Sequence, residues 1–140
     1  MVVGSIVIVP VVVIGLILGI LELVFVHQDE AGMGWLKHGL HAIPTMFIFT
    51  FISMNIPLVE SMLGWQNNLW FTIGIRVVVG IIAAAKIKGA AAVAGRVGEN
   101  WPHVLILAGL VIAAPFAWDA FACNITFLRN LPLSGCIAGK

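Results

Sequence analysis

Histidines and carboxylates at the ends of long apolar runs are the side chains of this sequence best suited to chemistry. His38 and His41 are three residues apart, so both rings project from one face of a helical turn. His27 and Asp29 close the apolar run that precedes them. Imidazole together with carboxylate suits Cu or Zn. This spacing predicts a metal site with His38 and His41 as first ligands and His27 or Asp29 as the next.

Two other interpretations of the histidines stay open. A bis-histidine haem would need one histidine from each of two helices, for example His41 and His103. The third interpretation is that the histidines are ordinary interfacial residues, because imidazole is amphipathic and suits the boundary between water and lipid. Beyond the candidate metal, the sequence identifies no cofactor.

Two charged residues interrupt the apolar runs. Arg76 and Asp119 are each expected at a depth of roughly 9 to 14 Å from the same side, at about 1.5 Å per helical residue. An unpaired charge at that depth costs about 3 kcal/mol or more. We therefore predict an intramembrane ion pair between Arg76 and Asp119, with Glu60 as a competing partner nearer the surface. A role in holding helix register is favoured over a proton or ion relay.

A second candidate site lies on the opposite side of the membrane. Glu22 is about one turn inside the end of the first apolar run, and Lys86 lies at a similar level in the third. Ionisable residues inside a membrane segment commonly mark proton or ion pathways. Glu22 and Lys86 are therefore a candidate proton or ion site, with His41 as an alternative neighbour of Glu22.

The two cysteines, Cys123 and Cys136, fall near the end of the fourth apolar run and in the tail. A disulfide between them would close a short loop and is chemically reasonable in an oxidising compartment. The alternative is that Cys123 is simply a small buried residue and Cys136 a tail residue.

The composition excludes most classes of protein. The 140 residues are 61% hydrophobic and 9% charged, and the mean hydropathy is +1.13. A soluble domain carries about 25% charged residues. A soluble enzyme, a disordered chain and a coiled coil are excluded on these grounds. A nucleic-acid partner is excluded too, because the net charge is only +1 and provides no basic field. An integral membrane protein remains, with the lipid bilayer as its first partner.

Four apolar runs are each long enough to cross about 30 Å of hydrocarbon, which takes roughly 20 helical residues. Backbone in lipid must satisfy its own hydrogen bonds, so each run is expected to be helical. The predicted fold is an all-α integral membrane protein, a single domain over residues 1–140 with four transmembrane helices in an up-down bundle with short loops. The predicted helices lie near 2–26, 39–63, 69–94 and 103–128.

An even number of helices puts both termini on one side of the membrane, the terminal side, and the first and third connections on the other, the loop side. The loop side carries four cations and the terminal side two: Lys37, Lys86, Lys88 and Arg96 against Arg129 and Lys140. The positive-inside rule then predicts a cytoplasmic loop side and both termini on the non-cytoplasmic side. The membrane would be the cell membrane or an energy-transducing inner membrane.

Small residues favour helix packing over catalysis as the role of the chain. Gly15 and Gly19 form a GxxxG pair, and residues 83–95 are rich in Ala and Gly. Such residues let helix backbones approach closely in lipid. The sequence contains no nucleophile, phosphate-loop or dinucleotide motif. The favoured function is therefore a non-catalytic accessory subunit of a larger membrane-bound redox or copper-oxidase/monooxygenase-type complex, held in a hetero-oligomer.

Two alternatives remain. One is an oligomeric small transporter or ion channel that uses Glu22 or the Arg76/Asp119 pair. The other is a metal- or haem-binding membrane protein that uses the loop-side histidines.

Overall fold

The computed structural model describes residues 5–29, 35–65, 68–93 and 99–136, and the side chains at 37, 38 and 90–93 lie outside this description. Four long helices dominate it, and each is long and apolar enough to cross a membrane. They are α1 (Val9–Asp29), α2 (Trp35–Met62), α3 (Leu69–Val93) and α4 (Trp101–Phe121). A 3₁₀ turn at Ala122–Asn124 and a short helix α5 (Thr126–Arg129) follow. The described residues contain no strand. The predicted all-α bundle of four membrane-spanning helices is confirmed.

The first helix is shifted relative to the prediction of 2–26. It begins at Val9 and ends at Asp29, and residues 5–8 are not helical. Pro10 explains the start, because proline lacks an N–H and suits the first helical turn. Proline also biases the residues before it towards an extended conformation. His27 and Asp29 therefore belong to α1 and not to the first loop.

The second and third helices lie close to the predicted spans of 39–63 and 69–94. The second begins four residues earlier, at Trp35, and continues through Pro44 and Pro57.

The fourth helix departs most from the predicted span of 103–128, because it ends at Phe121. A disulfide between Cys123 and Cys136 turns the chain back at this point. The indole nitrogen of Trp118 donates a 2.8 Å hydrogen bond to the carbonyl oxygen of Ser134, which holds the returning chain against α4. The apolar residues after 121 therefore cover the end of the bundle and do not extend the helix.

The four helices form a bundle in which α2 and α4 each contact the other three. The most extensive contact is between α1 and α2, followed by that between α3 and α4. Helices α2 and α4 also contact each other, whereas the Cα atoms of α1 and α3 do not come within 8 Å of one another in the described ranges. The closest neighbours of α1 are therefore α2 and α4.

The GxxxG pair of α1 lies in its contact with α2. Gly15 faces the ring of Phe47, and a Cβ atom at Gly19 would lie 3.2 Å from the Cα atom of Ile43. The second contact is with main chain, which cannot rotate away as a side-chain tip can. These two glycines set how closely α1 and α2 approach.

Replacing Gly19 with leucine is expected to lower the free energy of unfolding in detergent or lipid by about 2 kcal/mol, because overpacking of this kind typically costs 1–3 kcal/mol. Gly74→Leu is the matched control, since a Cβ atom at that position of α3 meets nothing within 4 Å. Equal unfolding curves for the two variants would contradict a backbone contact at Gly19.

The non-helical segment before α1 obtains its hydrogen bonds from its neighbours. The amide of Asn55, on α2, accepts a 2.8 Å hydrogen bond from the Val7 N–H and donates one of 3.2 Å to the Val7 carbonyl. The Leu133 carbonyl accepts from the N–H of Ile8 at 3.0 Å. Backbone in a membrane protein needs such partners. Residues 5–8 and 122–136 therefore form one closed layer over the terminal side of the bundle, which we call the terminal cap.

Candidate functional site

The loop side of the bundle holds a hydrogen-bonded group that joins the end of α1 to the start of α4. One oxygen of Asp29, Oδ2, accepts a 2.8 Å hydrogen bond from the backbone N–H of Asn100. The other, Oδ1, accepts a 2.6 Å bond from the Asn100 side-chain amide. Asn100 is the N-cap residue of α4 and makes no side-chain cap of its own. A carboxylate from a different helix thus satisfies a donor at this helix start, where negative charge is also favourable for the helix dipole.

His103 belongs to the same group. Its Nδ1 lies 2.7 Å from Asp29 Oδ2, and its ring stacks on Phe25 of α1 with 4.1 Å between centroids and 10° between planes. A carboxylate at Nδ1 fixes the orientation of an imidazole and leaves Nε2 for another partner. The pair Asp29–His103 is the arrangement in this protein that most resembles a proton-transfer dyad.

Glu22 lies on α1, seven residues before Asp29, which is two turns along the same helix face. Its side chain is 1% exposed, and its Oε2 has no hydrogen-bond partner. Among the described residues, the one charged group whose field acts on Glu22 is Glu99. Glu99 immediately precedes Asn100, the N-cap of α4, and is 3% exposed. The loop side therefore contains two buried glutamates whose charges act on one another.

Lys88 is the cation associated with Glu99. Its ammonium group donates a hydrogen bond to the backbone carbonyl of Glu99 and lies 5.4 Å from the centroid of the Trp101 ring. Lys86, predicted as the partner of Glu22, is exposed on α3. The charged group that acts on Glu22 is Glu99 rather than Lys86.

The residues predicted as metal ligands each have different neighbours. The ring of His27 stacks on Trp35 with 3.7 Å between centroids, His41 is exposed, and Asp29 is occupied by Asn100 and His103. Within the described residues no group of three or more His, Cys, Asp or Glu could hold a metal ion. The side chain of His38 lies outside the described residues, so the predicted Cu or Zn site stays a prediction. For the haem alternative, His103 is already held between Asp29 and Phe25.

A second polar group lies toward the terminal side, between α2, α3 and α4. Arg76 is 5% and Glu60 6% exposed. The charges that act on Arg76 are those of Glu60 first and Asp119 second. The Glu60 carboxylate accepts a 2.7 Å hydrogen bond from the Thr72 hydroxyl, and the guanidinium carbon of Arg76 lies 4.9 Å from the centroid of the Phe116 ring.

The sequence-based ranking of the partners of Arg76 placed Asp119 first. Its basis was equal depth, with Asp119 nine residues before position 128, the predicted end of the fourth helix. Because α4 ends at Phe121, Asp119 lies two residues from that end and its side chain is exposed. The depth argument was therefore wrong, although the electrostatic link between Arg76 and Asp119 is present.

Cys123 and Cys136 are joined by a disulfide in the terminal cap, with 5.5 Å between their Cα atoms. Neither cysteine is therefore a free thiol.

Asn100 is the loop-side residue that sequence reasoning passed over. Asn-Trp-Pro is a typical helix start, with a polar N-cap and a proline in the first turn, so its place as N-cap was open to prediction. Its partner Asp29 lies 71 residues earlier in the chain, and no local pattern indicates that pairing.

The outward face of α4 carries a stripe of small residues. Gly109, Ala113 and Ala117 follow one another at intervals of four and are all exposed, and a Cβ atom at Gly109 would meet nothing within 4 Å. Larger exposed side chains flank them, including Leu105 and Phe116. We call these three small residues the α4 stripe.

No protein-family model, no curated protein and no solved structure matches this chain.

Proposed function

We propose that this multi-pass membrane protein is a non-catalytic subunit of a larger membrane-bound assembly and that the α4 stripe is its contact with a transmembrane helix of another chain. The observation that carries the proposal is the exposure of Gly109, Ala113 and Ala117 between larger apolar side chains. The sequence favours a redox complex of the copper-oxidase or monooxygenase type as the class of assembly.

The physical argument concerns what a small-residue stripe does in lipid. Lipid tails are as apolar as leucine, so burial of apolar area does not drive helices together in a membrane. Close van der Waals contact does, and small residues at intervals of four permit it. The glycines of α1 show this inside the bundle, where Gly19 meets the main chain of Ile43. The α4 stripe has the same spacing but faces outward, so it is available to another helix.

The short connections between the helices support the same role. The connections between the four long helices are short, which leaves little surface outside the membrane for a soluble partner or substrate. The loop-side carboxylate of Asp29 is bound to Asn100 and His103 of the same bundle. A contact inside the membrane is then the largest surface through which this chain can act.

Replacing Ala113 with leucine is expected to release the protein from its assembly without unfolding it, because the new side chain fills the approach path of the partner helix. The measurement is native mass spectrometry after extraction in mild detergent. We expect at least a tenfold loss of the complex, which corresponds to about 1.4 kcal/mol.

Ala85→Leu is the matched control, since Ala85 is also an exposed alanine in a membrane-spanning helix, on α3. It should leave the complex intact. A protein that is monomeric in the native membrane extract, or a complex that Ala113→Leu leaves unchanged, would overturn the proposal. A complex made only of copies of this chain would favour the transporter or channel alternative.

A further inference from the structure

Glu22 and Glu60 are buried glutamates of the membrane-spanning helices, and they differ in their hydrogen-bond donors. The carboxylate of Glu60 accepts from the Thr72 hydroxyl, and that of Asp29 accepts from Asn100. Glu22 is more deeply buried than Glu60, at 1% exposure, and its Oε2 has no partner. An ionised carboxylate buried without donors costs so much free energy that the group neutralises instead.

The charged and titratable groups around Glu22 reinforce this. The elements packed against α1 are α2 and α4. From the α4 side come Glu99, whose charge acts on Glu22, and His103, which is engaged with Asp29 of α1 itself. From the facing end of α2 comes His41, which is exposed. A like charge nearby disfavours ionisation of a carboxyl group.

Glu99 and Glu22 differ in their access to a cation. Lys88 donates a hydrogen bond to the backbone of Glu99, so its positive charge lies beside Glu99. The Cα atoms of α1 and of α3, which carries Lys88, do not come within 8 Å of one another in the described residues, and the charge that acts on Glu22 is that of Glu99. The positive charge therefore favours the ionised form of Glu99 more than that of Glu22.

We propose that Glu22 is a proton-binding site, in which the buried Glu22 carboxyl holds a proton at neutral pH opposite the ionised carboxylate of Glu99. The ligand is a proton, and the site lies where α1 meets the start of α4. This assignment is independent of the assembly role of the α4 stripe, which lies on the outward face of α4.

Proton loss from Glu22 has a structural consequence. It places two negative charges between α1 and the start of α4 and pushes these elements apart. The hydrogen bonds from Asp29 to Asn100 hold the same two elements together. Binding of the proton therefore tightens the contact of α1 with α4, and its release loosens that contact.

The experiment is infrared spectroscopy of the purified protein in lipid, which detects the C=O stretch of a protonated carboxyl group without a reagent that must reach the buried site. We expect this band at neutral pH in the unmodified protein and in Glu60→Gln, and its loss in Glu22→Gln. Glu60→Gln is the matched control because Glu60 is also buried but carries hydrogen bonds from Thr72. Glu22→Met serves as the second variant without the carboxyl group if Glu22→Gln does not fold.

A pH titration of the same band tests the role of Glu99. The band should disappear as the pH rises, and in Glu99→Gln it should disappear at lower pH, because the neighbouring negative charge no longer favours the protonated form. Absence of the band from the unmodified protein at neutral pH, or its persistence in Glu22→Gln, would overturn the assignment. An unchanged titration in Glu99→Gln would overturn the pairing with Glu99.

Discussion

Replacing Glu60 with leucine is expected to lower the free energy of unfolding by about 2 kcal/mol, because the buried Arg76 loses the carboxylate whose charge acts on it most and the hydrogen bond from Thr72 is lost. Arg76 is 5% exposed, its Nε has no hydrogen-bond partner, and Glu60 is the acidic group whose charge acts on it most. Without Glu60, the described groups that still act on the guanidinium are Asp119, whose influence is weaker, and the Phe116 ring. Denaturant unfolding in a fixed detergent measures the loss.

Asp119→Leu is the comparison for this prediction. Asp119 is exposed, so its removal should cost much less than that of Glu60. The double variant Arg76→Leu/Glu60→Leu should be more stable than Glu60→Leu alone, because no charge is then left buried without its partner. Losses that simply add, or an Asp119→Leu variant as unstable as Glu60→Leu, would contradict this assignment of partners.

Removal of the disulfide is the other change with a large expected effect. The double variant Cys123→Ser/Cys136→Ser should have a free energy of unfolding about 3 kcal/mol lower than that of the unmodified protein. The two cysteines are 13 residues apart, and about 3 kcal/mol is the entropic contribution of a disulfide that closes a loop of this length. The loop includes the returning chain whose Ser134 carbonyl binds the Trp118 indole. The measurement is thermal unfolding under oxidising conditions, with the fluorescence of the tryptophans as one probe.

The unmodified protein under reducing conditions is the control, and it should behave as the double serine variant does. In the presence of reductant the two proteins should have the same unfolding midpoint. A double variant as stable as the oxidised protein would show that packing of the terminal cap, and not the disulfide, holds this end of the chain.

The sequence by itself determined the class of the protein and the number of its helices. Apolar runs of about 20 residues are decisive because the thickness of a bilayer sets the length of a spanning helix and because lipid leaves the backbone no other partner. Both constraints are local to each run. The same holds for the GxxxG pair, since Gly15 and Gly19 were identified as packing residues by spacing alone. Which side of the membrane holds the termini stays a prediction from the lysine and arginine distribution.

Partner choice was decided only in the tertiary structure. Asn55, a polar residue inside the second apolar run, binds the backbone of Val7, 48 positions away. Glu22 was expected near Lys86, but α1 packs on α2 and α4, so the charge that acts on it is that of Glu99. The charge of Asp119 acts on Arg76 less than that of Glu60 does, because α4 ends at Phe121 and Asp119 lies near this end. Hydropathy indicates that a run crosses the membrane but not which face of each helix meets which neighbour. That choice depends on the packing of all four helices at once, and it decides which buried charges face a cation, a donor or another carboxylate.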